Sequence, residues 1–144
     1  MIRKLAPFAL ALLAQAAFAQ STPVGLWKTI DDDGKTEKSL VRIVDIGGQL
    51  YGSIEKIFDP TKQDVRCDQC KDDRKDKPVL GLQIIRGVKH DPDDKELWGG
   101  GEILDPNNGK TYRTRLKPVE GGRKLEMRGY IGFFYRTQTW VRVE

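Results

Sequence analysis

The chain contains two cysteines, and they stand close together in Cys67-Asp68-Gln69-Cys70. A Cys-x-x-Cys pair serves a small set of chemistries: a local disulfide, a thiol redox couple, half of a tetrahedral zinc site, or covalent haem attachment when histidine follows the second cysteine. Lys71 occupies that histidine position, which sets haem attachment aside. Structural zinc wants four ligands, yet no second cysteine pair exists and the single histidine, His90, stands in the turn-like run His90-Asp91-Pro92-Asp93-Asp94. A redox couple needs surroundings that stabilise a thiolate. Here Asp64, Asp68, Asp72 and Asp73 crowd the pair and are only partly offset by Arg66, Lys71 and Arg74. A plain disulfide is the default in an oxidising compartment, with little entropic stabilisation from so short a loop, and a strained redox-active bridge is the alternative.

Hydrolytic chemistry leaves no comparable trace. The sequence lacks a Gly-x-Ser-x-Gly elbow. Its paired carboxylates, Asp31-Asp32-Asp33, Asp72-Asp73 and Asp93-Asp94, fall in turn-forming runs, where solvated acids are poorly suited to acid–base work and at most bind calcium loosely. No phosphate-cradling loop is present, because Gly99-Gly100-Gly101 sits inside a strand pattern and marks a bulge or a close backbone approach. No catalytic residue, metal ligand or cofactor is assigned.

Residues 1–19, MIRKLAPFALALLAQAAFA, read as a signal peptide: Arg3 and Lys4 precede an apolar stretch over residues 5–14, and Ala17-Phe18-Ala19 forms the cleavage site. The apolar run falls short of the roughly 20 residues that span a bilayer. Cleavage after Ala19 leaves about 125 residues, one domain by size, spanning 20–144. The formal net charge of +4 falls to +2, because Arg3 and Lys4 leave and the leader carries no acid. So small a balance, intermixed with acids, argues against nucleic acid and gives no case for an anionic membrane. The expected location is the periplasm or the exterior.

The elements that must position these residues are strands. Leu40, Arg42, Val44 and Ile46 alternate with Val41, Ile43 and Asp45; Leu50, Gly52 and Ile54 alternate with Tyr51, Ser53 and Glu55; Leu125 and Met127 alternate with Lys124, Glu126 and Arg128. Period two is the strand signal. Asp33-Gly34, Gly47-Gly48, Asp91-Pro92, Asp105-Pro106-Asn107-Asn108-Gly109 and Gly121-Gly122 supply turn chemistry between the runs. Eight strands are predicted, over residues 24–30, 39–46, 49–58, 79–87, 96–104, 110–118, 123–131 and 136–143. Short connections favour an antiparallel meander, and eight strands close into an up-and-down barrel whose interior is filled by side chains or holds one small ligand. A two-sheet sandwich would need longer crossing connections. The one long connection, residues 59–78, is a polar loop carrying both cysteines, either functional or a solvated excursion.

The ordered motifs carry a resemblance. Gly25-x-Trp27, Leu50-Tyr51-Gly52-x-Ile54, Cys67-x-x-Cys70 before Pro78-Val79-Leu80-Gly81, Gly100-x-x-Ile103-Leu104-Asp105-Pro106-x-x-Gly109-Lys110-x-Tyr112, Arg128-Gly129-Tyr130 and Arg136-Thr137-Gln138-Thr139-Trp140 together resemble the secreted bacterial domain-of-unknown-function 2147 family. The resemblance implies a lipocalin-like barrel of eight strands. In such a barrel the first-strand tryptophan plugs one end and an arginine from the last strand lies over its indole, which assigns Trp27 to closure first, with Arg136 as its partner, and both to ligand contact second. Trp140 shares a strand face with Arg136 and Gln138. With Tyr112, Arg128 and Tyr130 it could supply the few polar and aromatic groups that orient a ligand in an apolar pocket, unless these rings simply fill the barrel. Phe133-Phe134-Tyr135 cannot all point inward, so a partner, a second copy or a ligand gate at the rim is expected there.

Three functions follow from these residues. The first is a non-enzymatic carrier of a small apolar or amphipathic molecule. The second is an envelope interaction protein with a filled barrel, and the third a thiol redox protein using Cys67 and Cys70. A cavity, an exposed apolar patch on a packed barrel, or an acidic thiol would distinguish them.

Overall fold

The computed structural model describes residues 21–144, and the leader expected over residues 1–19 lies outside the described residues. Eight strands follow in order: β1 (Gly25–Ile30), β2 (Glu37–Ile46), β3 (Gln49–Ile57), β4 (Gln83–His90), β5 (Trp98–Asp105), β6 (Lys110–Val119), β7 (Lys124–Ile131) and β8 (Phe134–Arg142). Each pairs antiparallel with the next and β8 returns to β1, so the meander closes into the all-β barrel that the alternation predicts. β4 is the exception in position, beginning at Gln83 rather than at residue 79. Gly81 adopts a left-handed backbone (φ +88°), so the apolar run Val79-Leu80-Gly81-Leu82 turns instead of extending, and still buries Val79 and Leu82. The triple glycine lies in β5, where the register with β6 shifts between Trp98 and Gly101, the bulge its composition suggests.

The interior is packed in one half. Val41, Ile43, Leu50, Val88, Leu116 and Leu125 are buried near the end that carries the β2–β3, β4–β5 and β6–β7 turns. Each such side chain contributes roughly 1.5–3 kcal/mol on leaving water. Trp27, fully buried, plugs this end, and its indole Nε1 donates to the Pro23 carbonyl at 2.7 Å. Gly25 leaves room beside it, since a Cβ would meet the carbonyl oxygen of Glu144.

The arginine over the indole is Arg142, not Arg136: its guanidinium carbon stands 4.2 Å from the ring centroid. Antiparallel pairing is the reason. The start of β1 lies beside the end of β8, with Trp27 opposite Arg142, whereas Arg136 belongs to the far end of β8.

The long connection is largely exposed but anchored at Cys67, Cys70 and Arg74. Asp59 caps a single 3-10 turn at Pro60–Lys62, and a bridge between Arg66 and Pro78 closes the segment on itself. Cys67 and Cys70 stand at disulfide distance, both buried. They pack on the β5–β6 turn so closely that a Cβ on Gly109 would overlap the Gln69 carbonyl. Arg74 is 1% exposed. Its guanidinium donates to both Asp72 carboxylate oxygens and, at 2.9 Å, to the Gln83 carbonyl at the start of β4. Those bonds hold the Asp72 carboxyl well below its ordinary range, at about 2.

Candidate functional site

The other half of the barrel is hollow. A cavity of about 240 Å³ opens among the β1–β2, β5–β6 and β7–β8 turns, the end opposite Trp27. Its floor and walls are mostly apolar, from Ile54, Ile84, Ile103, Met127 and Trp140 on the inward positions of β3, β4, β5, β7 and β8, with the hydrogen-bonded hydroxyls of Thr29 and Ser39 as the polar exception. Its mouth is polar, lined by Asp31, Asp32, Lys38, Asn107, Tyr112, Arg136 and Gln138. By the roughly 30 Å³ that one water takes in the liquid, the space suits a ligand of about eight to ten heavy atoms, just below the usual range for drug-sized clefts.

The mouth is held by a seam between the first and last strands. β1 and β8 pair only at Trp27 with Arg142 and Lys28 with Val141, so backbone pairing stops midway up the barrel. Above that point Asp32 bridges the gap, accepting from the Gln138 amide at 2.8 Å and pairing with Arg136. The Gln138 hydrogen bond, with help from Arg136, keeps the Asp32 carboxyl below its ordinary value. Gln138 in turn accepts from the Trp140 indole at 3.0 Å, which fixes that ring in the cavity wall. At the β5–β6 turn, Asn108 donates to the Tyr112 hydroxyl at 3.1 Å.

The predicted ligand residues divide into three places. Tyr112, Arg136 and Trp140 meet at the cavity. Trp27 lies at the closed end with Arg142. Arg128 and Tyr130 point away from the interior, because Leu125 and Met127 face inward and their neighbours on β7 must face out. Arg128 covers the ring of Tyr135 at 4.1 Å, and Arg115 covers Tyr130 at 5.6 Å. Met127, Ile54, Asp32 and Gln138 were not singled out from sequence. The alternation that marks Met127 and Ile54 as inward was available, but the meeting of Asp32 with β8 depends on barrel closure. Among the described residues no three metal-ligating side chains converge. His90 ends β4 and stacks on Trp98 at 4.4 Å, at the β4–β5 end of the barrel opposite the cavity mouth.

A meander of eight antiparallel strands, stoppered by a tryptophan at one end and hollow at the other, defines a lipocalin-like barrel. It is similar to the structure titled "Protein HP1028 from the human pathogen Helicobacter pylori belongs to the lipocalin family", with a TM-score of 0.70 at 20% identity, covering 84% of this chain and 82% of that one. The chain itself belongs to the family described as "Uncharacterized protein conserved in bacteria (DUF2147)", whose model matches residues 25–142. No curated protein matches it.

Proposed function

We propose that this protein is a non-enzymatic binder of a small amphipathic molecule, held with its apolar part on Ile54, Ile103, Met127 and Trp140 and its polar end among Arg136, Gln138 and Tyr112. The observation that carries this reading is the cavity of about 240 Å³, apolar below and polar at the mouth. Burying the apolar part of such a molecule gives affinity, and the few polar groups at the rim give orientation. The likeness to a lipocalin-family structure supports the same reading at the level of fold. The buried cysteine pair and the leader-like residues 1–19 suit a protein that works outside the cytoplasm, in the periplasm or beyond.

Native mass spectrometry of protein purified from its own cells tests the proposal. A discrete small adduct is expected, released by organic solvent and recovered as one chemical species. Protein that is empty from its own cells and that also fails to bind any medium-chain fatty acid, alcohol or aromatic probe would remove the carrier reading.

A further inference from the structure

The tip of the β7–β8 hairpin carries a second feature beyond the cavity, whose edge only Ile131 of the tip lines. Ile131 pairs with Phe134, so only Gly132 and Phe133 form the turn, with the positive φ of Gly132 (57°) in the first central position, as a type II′ turn requires. A two-residue turn has no slack to fold its apex back, and Phe133 stands fully exposed while Phe134 is 79% exposed. Ile131 and Tyr135 beside them are also more than half exposed. This is an apolar tip on a rigid stem, at the rim of the open end.

The stem below the tip is cationic and aromatic. Arg115 on β6 stands directly opposite Arg128 on β7, and Arg113 lies opposite Tyr130. Like charges placed opposite each other across a ladder destabilise a sheet, a cost that stacking of each guanidinium on a tyrosine offsets while leaving both charges facing outward. None of the three arginines forms an ion pair among the described residues. The guanidinium of Arg115 lies instead over Tyr130 and that of Arg128 over Tyr135, while Arg113 stands opposite Glu102 on β5. Phenylalanines at an apex, tyrosines behind them and unpaired arginines behind those reproduce the depth order of a bilayer surface: acyl boundary, interface and anionic headgroup.

We propose that the β7–β8 hairpin docks the barrel on an anionic membrane surface, Phe133 and Phe134 entering the acyl boundary while Arg115 and Arg128 meet lipid phosphates. The charge complementarity is local, and the small net charge of the whole chain conceals it. The proposal is independent of what the cavity holds, although docking there would set the open mouth at the lipid surface.

The test is vesicle flotation at low ionic strength, using protein expressed from the full-length sequence, its N-terminus verified by mass. Vesicles are either phosphatidylcholine alone or contain one-third phosphatidylglycerol. The wild type is expected to float with the anionic vesicles and to be released by salt. Phe133→Ser with Phe134→Ser should lower partitioning by about tenfold or more. Arg115→Gln with Arg128→Gln should lower it about fivefold per arginine removed, with the melting temperature little changed because the lost repulsion and the lost stacking on Tyr130 and Tyr135 oppose each other. Equal partitioning to neutral and anionic vesicles overturns the proposal, as does a double phenylalanine variant that binds like wild type. A concentration-dependent self-association lost in that variant, without vesicle binding, overturns it in favour of a second copy of the chain.

Discussion

The guanidinium of Arg142 covers the indole of Trp27 at 4.2 Å, and the same group donates to three backbone carbonyls that no strand ladder reaches. They belong to Thr22 (2.6 Å), Val24 (2.8 Å) and Gly122. One side chain therefore joins the N-terminal segment, the β6–β7 turn and the plug. Burial pulls its pKa down from the usual arginine value, but arginine has ample margin to stay charged. Arg142→Lys keeps a charge yet loses the planar fork, and is expected to destabilise by about 2–3 kcal/mol. Trp27→Ala should cost about 3–5 kcal/mol. Arg136→Lys, on a side chain 68% exposed, should leave the melting temperature nearly unchanged. Urea denaturation of the three variants checks the ranking, and an Arg136 variant weaker than the Arg142 one would refute the assignment of the clasp.

Gly109 and the cysteine segment form a second tight contact. Gly109 has a left-handed backbone (φ +72°), and an added Cβ would overlap the main chain of Gln69 and Cys70, which cannot rotate aside as a side chain would. Gly109→Ala is expected to lose about 2 kcal/mol or more from backbone strain and displacement of the loop. The sharper readout is chemical. The buried Cys67–Cys70 pair should resist dithiothreitol in the native wild type and become reducible at native conditions in the variant. Equal reduction rates, followed by mass after alkylation, would contradict the packing described.

Closure into a barrel was legible because β2, β3 and β7 alternate cleanly and every connection but one is short. Inward assignments were equally open to reading: Met127 faces in, so Arg128 cannot. Arg128 and Tyr130 were nevertheless placed in the pocket, since a polar aromatic cluster suggests a ligand more strongly than a strand period argues against one. The Trp27 partner was missed for a similar reason, because an antiparallel return from β8 brings Arg142 to the start of β1 and leaves Arg136 at the other end. The cysteine loop was legible in its Cys67–Cys70 pairing but not in the packing around it. Its polar composition suggests solvent, whereas Arg74 is buried only because Asp72 and the Gln83 carbonyl answer its donors, a match that no spacing announces.

That buried arginine makes stability depend on acid. The Asp72 carboxyl titrates at about 2 in the folded protein, against an ordinary 3.8, because Arg74 donates to it from side chain and backbone. A lowered folded pKa stabilises above the unfolded value and is lost as pH falls, so this contribution should be present in full above about pH 5 and fade between about pH 4 and 2. Arg74 would then keep its charge in the interior with a neutral partner. Thermal melts across pH 2–6 should show wild type falling more steeply below pH 4 than Asp72→Asn, which starts lower and changes less. Parallel curves would show that the pair does not carry the acid dependence.

The cavity prediction separates the wall of the barrel from its outside. Met127 is buried in the wall of the hollow half, and the space it faces can take up a larger ring. Met127→Trp is therefore expected to project a larger ring into the 240 Å³ and obstruct it at a cost of about 1–3 kcal/mol, within what a folded domain tolerates. An apolar fluorescent probe that binds wild type should lose at least about tenfold in affinity, since the pocket that removes its surface from water is obstructed. Arg128→Gln sits on the same strand, one residue along, but on the outer face, and should leave probe affinity as in wild type. If both variants bind the probe equally well, binding occurs on the surface and the hollow half is not the site. If only Arg128→Gln weakens it, the outer wall of β7 is where the ligand sits, and the division of this strand into an inner and an outer face no longer assigns function.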